Sequence, residues 1–246
     1  MIIDAHNTIQ LPRPEAPEPG RREALTPEQL LAAMDRTNIS RSVICPNGRD
    51  LAIENQYIVD SVTRFPDRFI GFAAVNPRDP KAAESIRLYS RGGVKGVMLH
   101  PLAMGYAANS QPLLAPIFKA CSELGLIVYS HCFHDYGATP LQYEETARVF
   151  PDVPLILGHM GIVWSVGDAI AVATRNPNVY LETSVASLNA QRSAVRAAGA
   201  AKVVMGTDWP SNDFDLQIEM ARRATNSAKE FDLVVGGNLK VLLNLE

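Results

Sequence analysis

Eight short apolar runs, spaced by helix-like stretches, constrain this 246-residue chain more than any single motif. They are Ile2-Ile3 leading into His6, Ser42 to Cys45, Phe69 to Val75, and Val94 to Leu99. Leu126 to Tyr129, Leu155 to Leu157, Val179 to Leu181 and Val203 to Met205 complete the set. Each is β-branched or apolar on both faces, as strands buried in a parallel sheet are. Between them lie segments of helical character. The first starts at Thr26-Pro27, where threonine suits the N-cap and proline the first helical position. The others run over Ile53 to Arg64, Lys81 to Ser90, Leu113 to Leu124, Leu141 to Phe150, Val166 to Thr174, Ala190 to Ala198 and Phe214 to Ala224.

Strict alternation of strand and helix implies right-handed crossovers and a parallel sheet. Eight units predict an α/β fold, a single-domain (β/α)8 TIM-type barrel with short loops over residues 1–246. An open doubly wound sheet is the alternative, but no G-x-G-x-x-G follows any strand and there is no P-loop. Gly92-Gly93 and Gly236-Gly237 read as helix stops, and the proline-rich Leu11 to Gly20 as the loop after strand one.

Composition narrows the function classes. A net charge of -3 gives no electrostatic case for nucleic acid or an anionic membrane. No apolar run approaches the roughly 18 residues of a membrane span, and no secretory signal is visible. Cys45, Cys121 and Cys132 are few and not in C-x-x-C spacing, which disfavours a disulfide framework or thiolate zinc site. A cytoplasmic location is expected.

Active sites of such barrels sit at the carboxyl ends of the strands. The chain has five histidines; His6, His100, His131 and His159 fall at strand ends, and His134 lies three residues past one. Strand three ends at Asn76, strand seven at Glu182-Thr183-Ser184, and strand eight at Asp208-Trp209. Imidazole is the commonest transition-metal ligand and titrates near neutrality, so the pattern permits metal binding, proton transfer or both. The plainer alternatives are a hydrogen-bonded core for any one histidine, a helix cap for Asp208, a loop brace for His100 and a helix-facing position for Glu182. Asp4 is expected to anchor backbone near strand one, and Cys132 to be a small buried hydrophobe. Arg13, Arg21 and Arg22 could hold a substrate carboxylate, or form a solvated loop.

The ordered set of strand ends resembles the amidohydrolase superfamily. Within it, the chain looks like the branch that includes aminocarboxymuconate-semialdehyde decarboxylase, resorcylate-type decarboxylases and several lactonases. The resemblance rests on Ile3-Asp4-Ala5-His6, on Gly93 to Pro101 and on Leu126 to His131. It continues through Phe150 to Gly161, Asn178 to Ser184 and Gly206-Thr207-Asp208-Trp209-Pro210. It implies that His6, His131 and Asp208 are metal ligands, and that His159 binds the metal or works as an acid/base beside it; Asp208 and His159 are the candidate catalytic residues. It further implies one divalent ion, zinc first and manganese second. Thr8 stands where the superfamily's second strand-one histidine belongs, which leaves a metal-free site open. Lys95 sits at the wrong parity and the wrong end of strand four for a bridging carbamylated lysine, so a binuclear centre is not expected.

The expected activity is a hydrolase of a small cyclic ester or amide. The alternatives are a non-oxidative decarboxylase of a small aromatic or unsaturated acid, a metal-independent lactonase, or a ligand-binding barrel with a degraded site. Thr8, Asn76, His100, His134, Glu182 and Trp209 are the candidate substrate contacts. The expected partner is a small molecule, not nucleic acid or membrane, and the sequence is compatible with a homo-oligomer.

Overall fold

All eight apolar runs form strands in a computed structural model that describes residues 1–11, 25–47, 50–134 and 137–245. The strands are β1 Ile3–Ile9, β2 Arg41–Pro46, β3 Phe69–Ala74, β4 Gly96–Leu99, β5 Ile127–His131, β6 Leu155–Gly158, β7 Val179–Glu182 and β8 Val203–Val204. They form one parallel sheet in sequential order, β1 through β8. Main-chain bonds bring its edges together: Ala5 N–H donates to Met205 O at 2.9 Å, Asp208 N–H donates to His6 O at 3.0 Å, and Asn7 pairs with Trp209. The result is the expected (β/α)8 barrel.

Helices follow the strands in order: α1 Pro27–Arg36, α2 Leu51–Arg64, α3 Ala82–Arg91, α4 Pro101–Met104, α5 Gln111–Leu124 and α6 Glu144–Val149. They continue with α7 Val166–Arg175, α8 Leu188–Ala198, α9 Phe214–Ala224, α10 Ala228–Asp232 and α11 Asn238–Leu242. Several of their starts, those of α1, α2, α4, α8, α9 and α10, use side-chain caps that satisfy otherwise orphaned N–H groups. Thr26 and Gln29 form a reciprocal capping box on α1, and Asp213 accepts from Asp215 and Leu216 N–H at the head of α9. Asp208 is therefore not that helix's cap. Gly236-Gly237 lies in the wide turn between α10 and α11, where Gly236 leaves the helical conformation and breaks the helix. No helix of the described residues is long and apolar enough to cross a membrane.

Alternation along the strands builds two cores. Outward residues such as Ile44, Val97, Leu155, Leu157, Leu181 and Val203 pack against the helices. Inward residues, among them Ile3, Ala5, Val43, Phe72, Met98, Tyr129, Ile156 and Val204, fill the barrel, joined by Leu239 and Leu243 of α11. This inner parity continues upward into His100, His131, Glu182 and Asp208. β1 departs from it. Its pairing with β2 shifts register between Asp4 and Asn7, as a bulge does. Ala5 is inward and Ile9 outward, so the shift lets His6 face inward directly after Ala5 and leaves Thr8 on the same side.

Candidate active site

The described residues bring three imidazoles together. His6, His131 and His159 each offer a ligand atom within 4.8 Å of the others, and all three are buried. Asp208 Oδ1 lies 3.6 Å from His6 Nε2, and its side chain keeps 15% of its surface exposed. β1, β5, β6 and the end of β8 thus converge on one point.

A carboxylate that never reaches this cluster holds its frame. Asp4 is fully buried, and its Oδ1 accepts from His6 N–H at 3.1 Å and Thr207 N–H at 3.0 Å. Its Oδ2 accepts from Asn7 Nδ2 at 2.8 Å and from the Thr207 hydroxyl. Asp4 therefore ties the residue carrying the His6 ring to the residue before Asp208. Burial pushes its carboxyl up to about 7, against the pull of these donors. Asn7 completes the clasp by accepting from Trp209 N–H at 2.8 Å.

Beneath the histidines lies a polar layer that crosses the barrel. Tyr129, from β5, stacks on His6 with ring centroids 4.5 Å apart and donates to Glu182 Oε2 at 2.9 Å. To reach β7 its side chain passes over Gly158 of β6, where a Cβ would lie 2.3 Å from the phenol oxygen. Glu182 in turn lies against Gly206, where a Cβ would lie 2.1 Å from Oε1. Glycine at both positions makes room for this bond. Glu182 is fully buried within the barrel, not turned to the helices. It also accepts from His159 N–H at 3.1 Å, Ser184 N–H at 2.5 Å and the Ser184 hydroxyl at 2.8 Å. Burial raises its pKa, and these donors oppose the rise.

His159 leaves β6 in an uncommon backbone. His159, Met160, Gly161 and Ile162 have φ of 63°, 50°, 73° and 54°. For non-glycine residues such conformations cost on the order of 1–3 kcal/mol each, and surrounding bonds must hold them. Two are in place here: Glu182 on the His159 main chain, and Ser184 Oγ at 2.8 Å from the His159 ring Nδ1.

His131 Nδ1 lies 3.4 Å from Leu99 O. A carbonyl only accepts, so the proton sits on Nδ1 and Nε2 keeps its lone pair. Burial, and then the neighbouring imidazoles, hold the His131 pKa well below the ordinary range. His100 stacks on His131 at 4.1 Å and 14°. It also caps α4, its Nδ1 accepting from Ala103 N–H at 3.2 Å, so its own proton is on Nε2. Burial, followed by His159, lowers its pKa to about 4. His100 thus braces its loop, as expected, and also walls the cluster.

The remaining expected residues are placed less centrally. Thr8 is half-buried on the His6 side of β1. Asn76 accepts from Arg78 N–H at 3.0 Å and lines a cavity of about 90 Å³ with residues of α2 and α3, including Asn55 and Ala82. His134 is exposed beyond β5, and Trp209 stacks on Phe214 at 5.9 Å. Lys95 is exposed at the start of β4. Cys132 is buried, and burial raises its thiol pKa, as for a small core residue. Arg13, Arg21 and Arg22 lie outside the described residues. Sequence reasoning did not single out Tyr129, Gly158 or Gly206. Their one signal is inner-face parity directly below a chemistry-bearing strand end.

The amidohydrolase family profile matches residues 3–242. No curated protein matches the chain. Among solved structures, 5-carboxyvanillate decarboxylase from Sphingomonas paucimobilis is 19% identical, with TM-score 0.78, covering 100% of this chain and 99% of its own. A probable 2-pyrone-4,6-dicarboxylic acid hydrolase from Acinetobacter baumannii, with citric acid bound, is 17% identical, with TM-score 0.78 and 99% of each chain covered. A dihydroxybenzoic acid decarboxylase from Polaromonas sp. JS666, with bound manganese and the inhibitor 2-nitroresorcinol, is 17% identical, with TM-score 0.75, covering 99% of this chain and 96% of its own. At these identities the likeness is one of fold.

Proposed function

Because the chain belongs to the amidohydrolase family, we propose that it is an enzyme using one divalent metal ion to hydrolyse a small cyclic ester or amide. The observation that carries this reading is the convergence of His6, His131 and His159 within 4.8 Å, with Asp208 at 3.6 Å from His6. The donor set fits the ion. Three imidazoles and a carboxylate suit zinc or manganese, and the neutral His131 tautomer leaves Nε2 ready to ligate. Thr8 is then no obstacle, because a catalytic site needs only three protein ligands. Bound there, a divalent ion would supply Lewis acidity toward a carbonyl oxygen and make water a better nucleophile.

The chain's own residues do the rest. Asp208 takes the proton of the attacking water: Ser211 Oγ donates to its Oδ2 at 3.0 Å, and the carboxylate is still partly exposed. His100, protonated on Nε2 and neutral near pH 7, is suited to donate to a developing oxyanion without gaining charge. Tyr129 and the apolar residues below it close the floor of the site against solvent from inside the barrel.

A second reading is supported by the relatives, two of the three above being decarboxylases, one with manganese. Here Asp208 would deliver a proton to the ring carbon that loses carbon dioxide. One set of assays separates the readings. Tag-free protein is expected to contain about one equivalent of zinc or manganese and to hydrolyse a simple lactone in a chelator-sensitive manner. Lactone hydrolysis that persists undiminished in metal-free protein would overturn the metal. Release of carbon dioxide from a dihydroxybenzoate, with no lactone turnover, would replace hydrolysis by decarboxylation. Asp208→Asn is expected to lower kcat by roughly 100-fold or more while the barrel stays folded; full turnover by this variant refutes both schemes.

A further inference from the structure

We propose that Glu182, acting through Ser184, fixes His159 as the tautomer protonated on Nδ1, so that Nε2 is its unprotonated, ligand-competent nitrogen. The argument is a count of protons. Glu182 faces two obligate donors, the main-chain N–H groups of His159 and Ser184, together with the Tyr129 and Ser184 hydroxyls. Each carboxylate oxygen accepts from one obligate donor, Oε1 from Ser184 N–H and Oε2 from His159 N–H, and both hydroxyls converge on Oε2 as further donors. Ser184 has one hydroxyl proton, and its bond to Glu182 Oε2 at 2.8 Å uses it. Toward the His159 ring, at 2.8 Å, the same oxygen then acts as acceptor. Nδ1 is therefore the donor, and Nε2 is left without a proton.

The same carboxylate also holds the His159 main chain in its left-handed conformation. Glu182 thus grips one residue at two points, backbone and ring, and sets both its position and its tautomer. Orienting groups of this kind, behind a ligand, tune affinity as well as geometry. Glu182 and Ser184 are positioning residues, not catalytic ones. The metal-affinity consequence rests on the proposed metal site; the tautomer does not.

The two are tested separately. Long-range nitrogen–proton NMR on metal-free, histidine-labelled protein reports the tautomer, with His159 assigned by its loss in His159→Gln. Wild type is expected to show a single form protonated on Nδ1. A wild-type His159 protonated on Nε2, or an even mixture of forms, overturns the proposal whatever the variants do. Ser184→Ala is expected to give mixed tautomers, and Ser184→Thr, which keeps the hydroxyl, to restore the single form. Glu182→Gln, which puts an amide donor where one of two accepting oxygens stood, loosens this hold on the Ser184 hydroxyl and is expected to shift His159 toward the mixture too. Titration of apo-protein with zinc or manganese is expected to show affinity roughly 10- to 100-fold weaker in Ser184→Ala, recovered in Ser184→Thr. Unchanged tautomer and affinity in Ser184→Ala would overturn the relay. Absence of metal binding in wild type, with the Nδ1 tautomer intact, would refute the proposed metal and leave the relay standing.

Discussion

A single methyl group is enough to disturb this site. At Gly206 it would meet a carboxylate oxygen at 2.1 Å, and that oxygen cannot swing aside, since Glu182 is committed to four buried donors. Gly206→Ala is therefore expected to destabilise the protein by about 1–3 kcal/mol, the usual cost of overpacking a filled interior. Urea unfolding measures it; a variant as stable as wild type would mean that Glu182 has another place to go. Neither Gly158 nor Gly206 betrays this role in the sequence. Tyr129 and Glu182 are two strands apart in the sheet, and such a contact depends on the barrel's curvature. The histidines were legible for the opposite reason. His6, His100, His131 and His159 each follow their own apolar run, so position along the chain alone put them at the carboxyl end of the barrel. Asp4 was legible as an anchor, but its partner Thr207, some two hundred residues on, was not.

At the scale of elements, α6 and α7 are joined by a carboxylate at the start of one and a guanidinium at the end of the other. Arg175 donates to Glu144 Oε1 at 2.7 Å and to Oε2 at 2.9 Å, and Arg148 adds a further contact. This pairing, led by the Arg175 bonds, lowers the Glu144 pKa from its ordinary 4.5 to about 2. A depressed folded-state pKa stabilises the protein above the unfolded value, and that contribution disappears as pH falls through the folded one. Melting temperature is thus expected to separate wild type from Glu144→Gln above pH 4.5, with the gap closing toward pH 2; a pH-independent gap would show that the bond contributes through shape, not charge. The element pattern itself was readable because parallel strands buried on both faces leave unbroken apolar runs. The short α4 was not readable. It forms because His100 caps Ala103 N–H and Pro101 opens the turn, and the same two residues equally describe a loop. The register shift in β1 was also hidden, although simple alternation happened to put His6 and Thr8 on one side either way.

At the scale of the whole barrel, the proposed ligands are far apart in sequence. They come from β1, β5, β6 and the end of β8, so an ion held by them would link both edges of the closing seam to the middle of the sheet. The unfolded chain cannot present that set, and an ion that binds only the folded state stabilises it by mass action. At a free concentration of 100 times Kd the gain is about 2.7 kcal/mol, or roughly 5 to 10 °C in melting temperature for a chain of this size. Metal-stripped protein is expected to recover that shift on adding manganese or zinc. His6→Ala, which removes the proposed ligand at the seam, is expected to lose it. Lys95→Ala, altered on the exposed start of β4, is expected to keep it. Were His6→Ala to melt higher with metal by the same margin as wild type, the ion would be binding elsewhere on the molecule. The three imidazoles would then have to be read as proton carriers and hydrogen-bond donors, and Thr8 as the mark of a barrel that activates water without a metal.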